Sequence, residues 1–254
     1  MARRLVGLGR PASTWPRCAK LPGSVATRHT PHTAAHVNEP ARYIDIDTWP
    51  RREAFEYFRR FDKPYFNVCM RLDAAPLKAA VVARGVGGFS LACYFVALRV
   101  ANEQEPLRLR LDGGRVRVHS SLQGGATVLR DDDSFGFAYL QPRTDWADFA
   151  AQGTAAITAA RDRSAPFEPR TDDTAVIHFT TLPWIAFSSF SHARNWGRED
   201  SVPKISFGRI EADGTRLWLP FSVEVHHALM DGLHVGRYVQ AIEAVLRDPA
   251  PWLA

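Results

Sequence analysis

The sequence predicts an α/β fold, a two-layer sandwich with a mixed β-sheet and packed helices. Three observations carry that expectation. Leu217, Leu219, Phe221, Val223 and Val225 recur with a period of two, which places them on one face of a strand. After Gly232, the residues Val235, Tyr238, Val239, Ile242, Val245 and Leu246 follow the 3.6-residue period of a helix packed by one face. Residues 89–100 are apolar almost throughout and long enough for a buried helix. Interleaved strand and helix patterns of this kind point to helices layered on a sheet.

The elements follow in order. Tyr43-Ile44-Asp45-Ile46-Asp47 reads as a short strand, Thr48 as an N-cap and Pro50 as a first-turn residue. Ala54, Phe55, Phe58 and Phe61 then recur at helical spacing. Residues 65–72 read as a strand. Asp112-Gly113-Gly114 is a hairpin turn between strands at 107–111 and 115–119. Residues 146–160 form an Ala-rich amphipathic helix. Strands are expected at 176–180 and at 184–190, broken at Pro183. With no internal repeat and no linker in residues 42–247, a single folded domain is expected over residues 41–254.

Residues 1–40 carry six Lys/Arg and one acid, which leaves 26 basic and 26 acidic residues in the rest of the chain. The excess charge of +5 therefore belongs to an extension with too little apolar surface to fold, and a disordered segment is expected there. An organelle presequence or a nucleic-acid-binding arm is a competing reading of that extension. The remainder has no net charge to suit a nucleic-acid partner. A composition that is 46% apolar supports a sizeable core, and no apolar run is long enough to span a membrane. Cys18, Cys69 and Cys93 are odd in number and widely spaced, which argues against a disulfide framework or zinc finger and for a reducing cytoplasm.

Chemistry concentrates at His226-His227-Ala228-Leu229-Met230-Asp231-Gly232, on the strand-to-helix junction. A histidine that titrates near neutral pH can take a proton from a hydroxyl and return it later. Strand register carries His227 onto the inward face of residues 217–225 and His226 onto the other. A metal site would need a third ligand, so H-x-x-x-D alone is a weak metal signal and no metal is expected. A core histidine is the competing structural reading. Asp231 in an apolar junction needs a positive partner.

The run Glu224-Val225-His226-His227-Ala228-Leu229-Met230-Asp231-Gly232-Leu233-His234-Val235 resembles the C-terminal hallmark of the chloramphenicol acetyltransferase family. Two further blocks, Trp49-Pro50-Arg51-Arg52-Glu53-Ala54-Phe55-Glu56 and Pro183-Trp184-Ile185-Ala186-Phe187-Ser188-Ser189-Phe190, match that family's pattern in the same order. The resemblance covers residues 42 to about 247. The short motif alone also fits dihydrolipoyl acyltransferases and peptide synthetase condensation domains. The first usually carry D-H-R at the motif, and the second are about twice as long.

The resemblance implies a homotrimer with active sites at subunit interfaces, acetyl-CoA as co-substrate and a small hydroxylated acceptor such as chloramphenicol. It implies His227 as general base and Asp231 as the structural mate of Arg51, a pair whose truncation, if buried, costs about 3–5 kcal/mol. Thr180 stands where the family has a serine that stabilises the oxyanion, with Thr181 the alternative donor. Tyr57, Phe58 and Phe66 fall at pocket positions, and Ser206 matches a threonine that helps order a water. The stretch Ser191-His192-Ala193-Arg194-Asn195-Trp196-Gly197-Arg198 departs from the family's Asn-rich segment and leaves the acceptor open. A relative with another acceptor and a catalytically silent ligand-binding homologue are the alternative functions. Deleting residues 1–40 is expected to leave acetyl transfer at the full-length rate in a thiol-release assay; loss of activity would instead assign the extension a role.

Overall fold

The computed structural model describes residues 41–254 except 163, 165, 166, 168, 171, 172 and 195–198; the N-terminal extension expected at 1–40, with Cys18, lies outside the described residues. A short strand β1 (Arg42–Tyr43) leads through a turn into α1 (Arg52–Phe58). Then come β2 (Tyr65–Asp73), α2 (Ala75–Arg84) and α3 (Phe89–Glu103). A 3₁₀ turn precedes the hairpin of β3 (Leu109–Asp112) and β4 (Arg115–Val118). Gly113 and Gly114 take φ of 56° and 82° there, the left-handed backbone that a two-residue hairpin turn demands. β5 (Gln123–Leu129), β6 (Phe135–Leu140), α4 (Trp146–Arg161) and β7 (Val176–Leu182) follow. The chain ends with β8 (Lys204–Gly208), β9 (Glu211–Asp213), β10 (Arg216–His226) and α5 (Gly232–Arg247).

The large sheet runs β2-β10-β8-β7-β5-β6, with β9 paired to β10, and a small sheet runs β1-β4-β3. The large sheet is mixed: β5–β7 and β7–β8 are parallel, and β10 is antiparallel to both β2 and β8. Helices pack on one face. Tyr94 of α3 stacks on Phe179 and meets Phe207 edge-on, and Phe207 in turn meets Phe221. On α5 the apolar stripe buries Tyr238, whose hydroxyl donates to the Ala97 carbonyl of α3 at 2.8 Å. Burying each large apolar side chain in this layer contributes about 1.5–3 kcal/mol.

The opposite face is covered too, for a topological reason. Parallel neighbours cannot be joined by a tight hairpin. The connection from β7 to β8, residues 183–203, must cross over, and its described part lies on the face that the helices leave open. The strand expected at 184–190 is therefore absent, and those residues form a turn and irregular backbone. Pro183 and the exposed Trp184 and Ile185 mark where the chain leaves the sheet. At the N-terminal side, Thr48 does not cap α1. Its hydroxyl bonds Asp45, the N-cap position is Arg51 with no side-chain cap, and Phe61 lies beyond the helix end. Among the described residues, no single helix is long and apolar enough to cross a membrane.

Candidate active site

Strand β10 is buried on both faces from Leu219 to His226, so alternation there does not separate core from solvent. His226 is buried, and that burial, with Arg194 nearby, pushes its pKa down to about 4. It is a neutral imidazole, and its Nδ1 accepts from Ala228 N at 3.2 Å, shaping the turn. His227 stands one residue past the strand and is half-buried at the rim, not inside the core as register alone suggested. Its ring lies flat on Phe58, with centroids 3.7 Å apart and planes 7° apart, and tilts against Phe66 at 4.7 Å. Its Nδ1 is buried and has no hydrogen-bond partner among the described residues, so Nε2 is the nitrogen left to meet a substrate.

The backbone of this turn is fixed from several directions. His227 N donates to Pro64 O at 2.6 Å. Arg51 Nη2 donates to the His227 carbonyl at 3.1 Å, while Nη1 pairs with Asp231 Oδ2. The other Asp231 oxygen accepts from Leu233 N at 3.2 Å and lies 2.7 Å from His234 Nδ1, which makes Asp231 the N-cap of α5 in a reciprocal capping box. Both carboxylate oxygens are thus engaged within the chain. Burial raises the Asp231 carboxyl, but Arg51 and His234 together outweigh it and hold it below its ordinary range. The side chain of Asp231 is 38% exposed against 14% for Arg51. The pair is therefore only partly desolvated and is worth less than the buried pair the sequence suggested.

Of the proposed pocket residues, Phe58 and Phe66 touch the His227 ring. Tyr57 is exposed beside them, 5.1 Å from Phe58 between centroids, and Phe61 completes this aromatic rim. Thr180 and Ser206 are not part of it. Thr180 pairs with Ser206 across β7–β8, and Ser206 with Ser222 across β8–β10, so the three side chains share one face. Phe66 pairs with Val225, which belongs to the helix-packed face. His227 and Thr180 of one chain therefore lie on opposite sides of the sheet. Thr181 has the other parity, and its Oγ1 stands 2.6 Å from the Tyr94 hydroxyl beneath the helices. Ser206 is fully buried, with its hydroxyl 3.1 Å from His192 Nε2.

Around Ser206 lies a set of charges that no sequence motif announced. Arg194 Nε donates to Glu224 Oε1 at 2.7 Å, Arg194 Nη1 to Asp200 Oδ1 at 3.1 Å, and Lys204 Nζ to Asp200 Oδ2 at 3.1 Å. Burial raises the Glu224 carboxyl, but His192 and Arg194 overcome it and bring its pKa down to about 2. Burial with Lys204 nearby pushes His178, on the same face, down to about 4. Among the described residues, no group of three or more His, Cys, Asp or Glu side chains is arranged to hold a metal ion.

A mixed sheet that ends in a paired-histidine turn, with the second ring presented at an aromatic rim, defines an acyltransferase of the two-layer α/β kind. Residues 41–243 match the family model for chloramphenicol acetyltransferase. The chain is 30% identical over 214 residues to the chloramphenicol acetyltransferase of Streptomyces acrimycini, covering 83% of this chain and 96% of that one. It is 26% identical over 202 residues to chloramphenicol acetyltransferase 2 of Escherichia coli, covering 79% and 94%. A solved chloramphenicol acetyltransferase superposes with a TM-score of 0.75 at 23% identity, over 81% of this chain and 99% of that one. The cubic core of the pyruvate dehydrogenase multienzyme complex shares the fold at a TM-score of 0.61 and 16% identity, over 75% and 84%. The chain belongs to the chloramphenicol acetyltransferase family and is an acetyltransferase.

Replacing Arg51 by Met is expected to cost about 1–3 kcal/mol in urea unfolding at neutral pH, since it strands a half-exposed carboxylate and an orphaned His227 carbonyl. The folded carboxyl titrates below its ordinary 3.8, so the ion pair stabilises above that pH. Its share of the difference from wild type should vanish as the pH falls through the lowered value. A difference independent of pH would contradict the ion pair's contribution.

Proposed function

We propose that this protein transfers the acetyl group of acetyl-CoA to a hydroxyl of chloramphenicol or a similar small alcohol, with His227 as general base. The observation that carries the reading is the His227 turn. A half-buried imidazole is held between aromatic rings, with its carbonyl bonded to Arg51 and its amide to Pro64. Nε2 takes the acceptor's hydroxyl proton, which requires the ring's own proton on Nδ1. The resulting oxygen attacks the thioester carbonyl carbon, and the carbonyl becomes an oxyanion. Thr180 donates its hydroxyl to that oxygen. Collapse breaks the carbon–sulfur bond, and His227 returns the proton to the departing thiolate. No metal takes part.

Because the base and the donor lie on opposite sides of one sheet, the reading places each site between subunits. His227 of one chain meets the partner subunit's Thr180 in a homotrimer. The same reading casts Tyr57, Phe58 and Phe66 as the aromatic wall for the acceptor, with Ser206 behind Thr180. The free Cys69 and Cys93 suit a reducing cytoplasm.

A thiol-release assay with acetyl-CoA, chloramphenicol and a panel of alcohols tests the reading. His227→Ala is expected to abolish turnover with the fold intact, and Thr180→Val to lower kcat about a hundredfold. Near-normal turnover in the first variant sinks the mechanism; an unchanged kcat in the second removes Thr180 from it.

A further inference from the structure

Arg194 has a side chain only 4% exposed, and Glu224, Asp200, the Val202 carbonyl and the Tyr65 ring meet it at one end of the large sheet. Its Nε holds Glu224, three residues before His227, and its guanidinium lies 4.3 Å over the Tyr65 ring. Tyr65 is the last register partner on β2, opposite His226, and the two rings meet edge-on at 5.2 Å. The preceding residue, Pro64, supplies the carbonyl that accepts from His227 N. One guanidinium thus touches both strands immediately before the turn that carries the base.

The crossover brings that guanidinium there. Arg194 is itself fixed by Asp200 and by the Val202 carbonyl at 3.0 Å, and Lys204 closes the set on Asp200 and Ala193 O. Further along, Asn67 beside Glu224 on β2 donates to Phe190 O and accepts from Ser222 Oγ at 2.8 Å. One arginine and one lysine are balanced by two carboxylates, Glu224 and Asp200, so this cluster does not gather charge for a ligand. Buried ion pairs are also poor sources of stability, because apolar side chains of similar volume serve the fold about as well. What this cluster does supply is a fixed position for the strand ends.

We propose that Arg194 is a positioning residue for the His227 base, clamping Glu224 and Tyr65 from the crossover side of the sheet and so fixing the end of the β2–β10 pair from which His227 emerges. Arg51 secures the same turn from the α5 side. The role rests on the acetyl-transfer reading only for its effect on rate; its effect on the imidazole does not.

The test compares Arg194→Lys with the paired replacement Arg194→Met and Glu224→Met, which leaves no carboxylate stranded. Melting temperature, kcat, the KM for acetyl-CoA and the His227 imidazole signals in NMR, assigned with the His227→Ala variant, are measured for each. The paired variant is expected to melt within a few degrees of wild type, to lose about tenfold or more in kcat, and to keep its KM for acetyl-CoA within about twofold. Its His227 signals should shift or broaden, and the lysine variant, which keeps one contact, should fall between it and wild type. A wild-type kcat with unmoved His227 signals in both variants overturns the proposal. If wild-type protein releases no thiol with any alcohol, the acetyl-transfer reading has failed instead. The His227 signals then decide the proposal alone: moved supports it, unmoved overturns it.

Discussion

Successive side chains of a strand point to opposite faces, and this sheet commits Thr180 to one face and the surroundings of His227 to the other. Thr180 shares its face with Ser206 and Ser222, while the His227 ring rests on Phe58 and on Phe66, the partner of Val225. No rotamer change brings two such groups together through a packed sheet. The proposed chemistry therefore needs two chains, and the aromatic rim around His227, with Tyr57 and Phe61 exposed, is the surface that a second chain would meet.

The His227 turn is held by interactions of different worth. The Arg51–Asp231 pair is partly open to solvent, yet Arg51 also takes the His227 carbonyl, and Asp231 also caps α5. A single salt bridge of that exposure contributes little by itself. Its value here lies in joining the start of α1, the His227 turn and the start of α5 at one point. Beneath the sheet the buried Arg194–Glu224 pair secures the strands that enter the same turn. An imidazole one residue beyond a strand would otherwise share the freedom of a loop.

Much of this was legible in the residues. The period of two in β10 and of 3.6 in α5 gave both elements and their junction, because each is long and strongly patterned. Strand β5 escaped notice because Gly124 and Gly125 carry no β pattern. Gly124 is there for space, since a Cβ on it would come within 2.6 Å of the Phe179 ring. Residues 184–190 look like a strand by composition, but the parallel pairing of β7 and β8 requires a crossover at that point. The choice between Thr180 and Thr181 could not be read from spacing. It follows from strand parity, which turns Thr181 toward Tyr94. His234 was missed as a capping partner because that place in the box usually holds Glu or Gln. The Arg194 cluster was not legible, since its members are brought together only by the crossover.

Mixed oligomers test the two-chain site most directly. His227→Ala and Thr180→Val chains, each crippled by itself, are unfolded together, refolded and assayed as hybrids. If base and donor come from different subunits, about one quarter of the interfaces in randomly mixed oligomers pair an intact His227 with an intact Thr180, and a comparable share of wild-type activity returns. A mixture no more active than the mean of its two parents would place both groups in one chain and contradict the account.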